Sequence, residues 1–135
     1  VIVLVAVAID AVSRRRVRRI EAKLRAADSE FTGKLEGYIA EHLGDPSLDV
    51  AMVADYMAMS RATLYYKMNA AYGKGVAEVI EAKRMAKAEE LLRSGSMSVL
   101  DISEAVGYST SRYFSTRFKL LHDGQTPLKY RQSHG

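Results

Sequence analysis

Two stretches of the chain, LDVAMVADYMAMSRATLYYKM at 48–68 and SVLDISEAVGYSTSRYFSTRF at 98–118, follow one plan. Each reads as a short amphipathic helix, a break ending in serine, and a second helix carrying aromatic residues. The serines that open the second helices, Ser60 and Ser109, stand 49 residues apart. A short helix, a tight turn and a second helix make a helix-turn-helix. Gly107 suits a turn position that needs positive φ, and Ser60 and Ser109 suit the N-caps of the helices that follow. Occurring twice around one long helical segment, the pattern predicts an all-α fold.

The flanking segments agree. FTGKLEGYIAEHL, residues 31–43, places apolar residues at 31, 35, 38, 39 and 43, a helical stripe, and GDP ends it. A short helix follows with Val50, Val53, Ala54 and Met57 facing inward. RATLYYKMNAAYG closes at Gly73, and VAEVIEAKRMAKAEELLRSG forms a longer helix ending at Gly95. TPLKYRQS closes the chain, with Pro127 in the first turn of a last helix. No segment of any length has the period of a strand.

The N-terminus is different in kind. VIVLVAVAID opens with nine apolar residues, fewer than the roughly 20 that cross a bilayer, and it lacks the basic n-region of a signal peptide. SRRRVRRIEAKLR comes next. An apolar run followed by clustered arginines is the pattern of a transmembrane helix leaving on the cytoplasmic side. One expectation is therefore that the numbering starts inside such a helix and that the segment gives membrane attachment. The other is a short apolar element packing on a neighbour. Val17, Ile20, Leu24, Ala27 and Phe31 then keep a 3-4-3-4 spacing. This is either a two-heptad seam for a homodimer through residues 17–31 or an amphipathic linker helix. The expected division is residues 1–30 as linker and residues 31–135 as the main domain.

Charge points to function only through its placement. The formal net charge is +4 over 135 residues, with seven Lys/Arg and four Asp/Glu in residues 1–30 and thirteen and twelve in the rest. The main domain is nearly neutral overall. Yet in the second helix of each repeat the face opposite the core carries no acid. Leu64, Met68 and Ala71 should face inward in the first, leaving Arg61, Ala62, Thr63, Tyr66, Lys67 and Asn69 outward. Phe114, Phe118 and Leu121 should face inward in the second, leaving Ser111, Arg112, Ser115, Thr116 and Lys119 outward. Acid-free matched faces suit a polyanion, and two recognition helices on one frame can enter successive major grooves about 34 Å apart. A helical protein-interaction module is the alternative.

Other chemistries find little support. Without cysteine there is no disulfide, thiolate metal site or Cys nucleophile. His42, His122 and His134 form no i, i+4 metal pair. No glycine-rich phosphate loop occurs, and GYSTS lacks the second glycine of a nucleophile elbow. The chain reads as a non-enzyme with no cofactor.

GYSTSRYFSTRFKLLHDGQTPLKYR, with MSRATLYYKM, AKRMAKAEELLRSG and VLDISEAVGY upstream, resembles the AraC/XylS family of bacterial transcription regulators over about residues 34–132. The resemblance implies about seven helices, in two helix-turn-helix subdomains joined by a long connecting helix. It also implies double-stranded DNA and RNA polymerase as partners and a cytoplasmic DNA-binding domain. Recognition helices fall at about 60–71 and 109–121. By position, base-reading residues fall on Ala62, Thr63 and Tyr66 and on Ser111, Arg112 and Thr116. Ser60, Arg61, Lys67, Ser109, Ser115 and Lys119 would meet the DNA backbone. The chain departs from the family pattern at several places. Relatives often carry Arg at the places of Tyr66 and Thr116, and a basic residue at the place of Glu81. Asp123 stands where the family glycine is expected, with Gly124 one residue late.

Overall fold

The computed structural model describes residues 2–134, so residue 1 of the expected linker and residue 135 of the expected main domain lie outside it. Among the described residues there are seven helices and no strand: α1 (Ile2–His42), α2 (Val50–Met57), α3 (Arg61–Tyr72), α4 (Val76–Ser94), α5 (Val99–Ala105), α6 (Ser111–Leu121) and α7 (Pro127–His134). The chain divides into two units, with the boundary between Leu35 and Glu36.

The apolar run, the arginine cluster and the stripe at 31–43 are not separate pieces. They lie on one continuous helix of 41 residues, α1. The reason is local: no proline interrupts it, and its glycines, Gly33 and Gly37, lie late in its length. In residues 2–30 every side chain is exposed, including Ile2, Leu4, Ile9, Val17, Ile20 and Leu24. No helix among the described residues is long and apolar enough to cross a membrane.

In the second unit α4 is the central element, touching α2 and α3 of the first repeat and α5 and α7 of the second. Val53, Ala54 and Met57 of α2, Leu64 and Met68 of α3, and Val76, Val79 and Ile80 of α4 are buried. Val50, expected inward, is half-buried. A second cluster joins Met85, Ala88 and Leu92 of α4 to Ile102, Val106, Tyr108, Phe114, Phe118 and Tyr130. Burying a side chain of this size contributes about 1.5–3 kcal/mol, so the aromatic pair of α6 is a principal anchor. Phe114 and Phe118 stand 5.8 Å apart in a tilted arrangement, and Tyr130 meets Phe118 edge-on at 5.5 Å.

Arg131 of α7 closes the far end. Its guanidinium donates from Nε to the Leu92 carbonyl at 3.1 Å and from Nη2 to the Met97 carbonyl. Arg93 donates to the Tyr130 hydroxyl at 2.8 Å. Arg131 therefore ties α7 to a carbonyl in the last turn of α4 and to one in the loop that follows, while the Tyr130 hydroxyl accepts from Arg93. Pro127 occupies the first position of α7, as the sequence predicts.

Candidate nucleic-acid interface

The two repeats share a frame with one change inside it. The support helices α2 and α5 are capped by Asp49 and Ser98, 49 residues apart. The residues that turn the chain out of them, Ala58 (φ 54°) and Gly107 (φ 89°), keep that spacing. The recognition helices do not. Ser60 caps α3, its hydroxyl accepting from the Thr63 N–H at 3.1 Å, and Thr110 caps α6, accepting from the Tyr113 N–H at 3.1 Å. Those caps are 50 residues apart. The buried pairs Leu64 and Met68 on α3, and Phe114 and Phe118 on α6, keep the same spacing of 50. The second turn thus holds one residue more than the first. Ser109 is that extra turn residue and not the N-cap its place in the repeat predicts.

This register fixes the exposed faces. On α3 Tyr66 is 77% exposed, and Arg61, Ala62, Thr63 and Lys67 are exposed with it. On α6 Arg112, Thr116 and Lys119 are exposed, whereas Ser111 and Ser115 are half-buried. The expected inward positions hold for Leu64, Met68, Phe114 and Phe118 but not for Ala71 or Leu121. Ala71 is exposed, and Leu121 is 49% exposed. Both lie in the last turn of their helices, beyond the reach of the core. Neither α3 nor α6 contains an acidic residue.

A spacing of 50 pairs Thr63 with Tyr113, Tyr66 with Thr116, and Ala70 with Leu120. Tyr113 and Leu120 are exposed, and they neighbour Thr116 at i−3 and i+4. Neither stood among the expected contacts. The signal that finds them is the register of the buried pairs, which points one residue away from the register of the serines. Two hydroxyls on these faces are already engaged. Ser60 donates to Thr63 Oγ1 at 3.0 Å, and Thr116 donates to the Arg112 carbonyl at 3.0 Å.

Beside α6 lies a cleft of about 500 Å³ lined by α2, α4 and α6 residues together with Tyr108. Arg117, next to Thr116, turns into this cleft and away from the exposed face. Its Nε donates to Glu81 Oε2 at 2.9 Å and its Nη2 to Glu81 Oε1. This bond raises the Arg117 pKa further. The Tyr108 hydroxyl stands 3.5 Å from the same carboxylate. Burial, with the Glu81 charge beside it, pushes the Tyr108 phenol up to about 12. Arg84 lies over the Tyr108 ring at 5.7 Å and donates to the Leu43 and Asp45 carbonyls at 3.3 and 2.8 Å. Burial lowers its pKa. No group of acidic or histidine side chains among the described residues is arranged to hold a metal.

Residues 53–133 match the model of a helix-turn-helix domain family. The chain is 28% identical to the arabinose operon regulatory protein of Escherichia coli K12 over 117 residues, covering 87% of this chain and 40% of that protein. It is 33% identical to the xylose operon regulatory protein of the same strain over 94 residues, 70% of this chain and 24% of that one. The chain thus spans less than half the length of these curated relatives. The solved C-terminal domain of AraT, a response regulator from Geobacillus stearothermophilus, superposes with a TM-score of 0.69 at 33% identity. That superposition covers 73% of this chain and 81% of that one. With two helix-turn-helix repeats hung on one connecting helix, and with these relatives, the chain belongs to the AraC/XylS family of bacterial transcription regulators.

Proposed function

We propose that the chain is a sequence-specific DNA-binding transcriptional regulator whose α3 and α6 read successive major grooves. The observation that carries this is the pair of acid-free exposed faces, set in one register by the buried pairs Leu64/Met68 and Phe114/Phe118. In this reading Ala62, Thr63, Tyr66, Arg112 and Thr116 face base edges, with Ser111 at the margin. Arg112 is the residue with the donor fork for guanine. Arg61, Lys67 and Lys119 meet phosphates, helped by Ser115, by the amides that follow Ser60 and, with Thr110 in place of Ser109 as the N-cap, by the first amides of α6. Selection of bound duplexes from a random pool tests the reading. One site should be enriched, and binding should weaken steeply with salt; a pool without enrichment overturns it.

Two finer readings rest on α1. Val17, Ile20 and Leu24 are exposed at heptad spacing, which supports a homodimer seam. Ile20→Asp should halve the mass seen by sedimentation equilibrium if the seam pairs two copies. Ile2–Ile9 are exposed all round the helix and are followed by five arginines at 14, 15, 16, 18 and 19, which supports attachment to an anionic membrane surface. Flotation with anionic vesicles, lost when the arginines are replaced, is the expected result. A regulator placed this way would work on the cytoplasmic side, with RNA polymerase as its downstream partner.

A further inference from the structure

We propose that Glu81 sets the specificity of α6 by withholding Arg117 from DNA. The inference rests on the DNA reading of α6 given above. Arg117 follows directly after Thr116, on a helix whose other cations, Arg112 and Lys119, are exposed. Its guanidinium is instead held by both oxygens of one carboxylate, on a neighbouring helix. Such a fork-to-carboxylate pair is directional as well as strong. Side-chain exposure is 29% for Arg117 and 25% for Glu81, so solvent and salt screen the pair less than a surface contact.

The carboxylate is itself held in place. The Tyr108 hydroxyl lies against it at 3.5 Å, and the Tyr108 ring packs on Phe114 at 5.3 Å. Glu81 therefore joins α4, the second turn and α6 at one point. Moving Arg117 to a phosphate would break two charge-assisted bonds and leave a partly buried carboxylate unpaired. The pair thus removes one sequence-independent attraction, which favours discrimination over raw affinity.

The test is duplex binding across a salt series, with the selected site and a random duplex, for the full chain and three variants. Glu81→Gln should raise affinity for the random duplex several-fold and steepen the logarithmic salt slope by about 0.9, the value for one phosphate. The preference for the selected site should fall. Arg117→Gln should leave the slope unchanged, and Glu81→Gln/Arg117→Gln should return it to the unsubstituted value. A slope that does not change in Glu81→Gln overturns the proposal. So does a slope lowered by about 0.9 in Arg117→Gln, because Arg117 would then already contact DNA. That second result needs no Glu81 variant to fold. A chain that shows no salt-dependent duplex binding at all sinks the DNA reading itself, a distinguishable failure that takes the lock with it.

Discussion

Gly107 lies so close to the Leu43 carbonyl that no side chain fits between them. A Cβ at Gly107 would stand 2.1 Å from the Leu43 oxygen and 2.9 Å from Nε and Nη2 of Arg84. The residue also has φ +89°. The close approach seats the second turn against the end of α1, where Arg84 donates to the same carbonyl. Gly107→Ala should destabilise by about 3 kcal/mol, combining positive-φ strain with overpacking against backbone. Gly95 is the control. Its φ is +76°, but a Cβ there meets nothing within 4 Å, so Gly95→Ala should cost only about 1 kcal/mol. Guanidinium unfolding midpoints of the two variants separate the contributions.

Ala58 does in the first turn what Gly107 does in the second, without being glycine. It sits at φ 54°, ψ 45°, with its N–H bonded back to Ala54 and Asp55 carbonyls. The left-handed region costs a Cβ-bearing residue about 1–2 kcal/mol, and glycine's greater unfolded-state freedom offsets part of that. Ala58→Gly should therefore raise stability by about 0.5 kcal/mol. Ala58→Val should lower it, because a branched side chain tolerates this backbone poorly. A shift of the thermal midpoint in opposite directions for the two variants is the expected outcome.

Helix-period stripes and terminal residues make the architecture legible: Gly73 and Gly95 end α3 and α4, and Pro127 opens α7, each where the sequence predicts. The register of the second repeat is not legible in this way. Ser109 and Thr110 are both good capping residues and adjacent, and only the backbone shows that Thr110 accepts the Tyr113 N–H. That single step moves Tyr113 onto the exposed face and Ser111 off it. Nor could spacing tell that Arg117 turns toward Glu81, since the two are 36 residues apart and meet only once α4 and α6 pack. The continuity of α1 was hidden for the opposite reason. Its composition changes twice, yet changes of composition do not break a helix that has no proline or helix-ending cap.

Tyr108 should be the phenol that reports on this packing. Its pKa is raised to about 12 by burial and by the Glu81 charge, against an unfolded value near 10. A raised folded value means that the buried neutral phenol favours the native state below the unfolded pKa. That contribution is fully present below about pH 10 and is lost as the pH climbs toward 12. Burial raises the Tyr72 phenol as well, so an absorbance titration of phenolate should show two late-ionising tyrosines, and Tyr108→Phe should remove the one at about 12. In the unsubstituted protein stability should begin to fall above about pH 10, and Tyr108→Phe should flatten that part of the curve.

Arg112 and Lys119 share one exposed face but should fail differently when removed. Arg112 lies in the first turn of α6, where a helix entering a major groove brings its side chains to base edges. Arg112→Ala should cost about 1–3 kcal/mol on the selected site and relax preference at one base pair. Lys119 lies in the last turn, two turns further along, where a cation meets backbone. Lys119→Ala should weaken every duplex by a similar factor and reduce the salt slope by about 0.9. Thr116 sits between them with its hydroxyl given to the Arg112 carbonyl, leaving its oxygen free to accept and its methyl free for apolar contact. Thr116→Val keeps the shape and the methyl while removing the hydroxyl. If Thr116 reads bases through its methyl, that variant should preserve the selected site; if it reads through oxygen, the preferred base at one position should change. Repeating the selection with each variant distinguishes all three roles on the same helix.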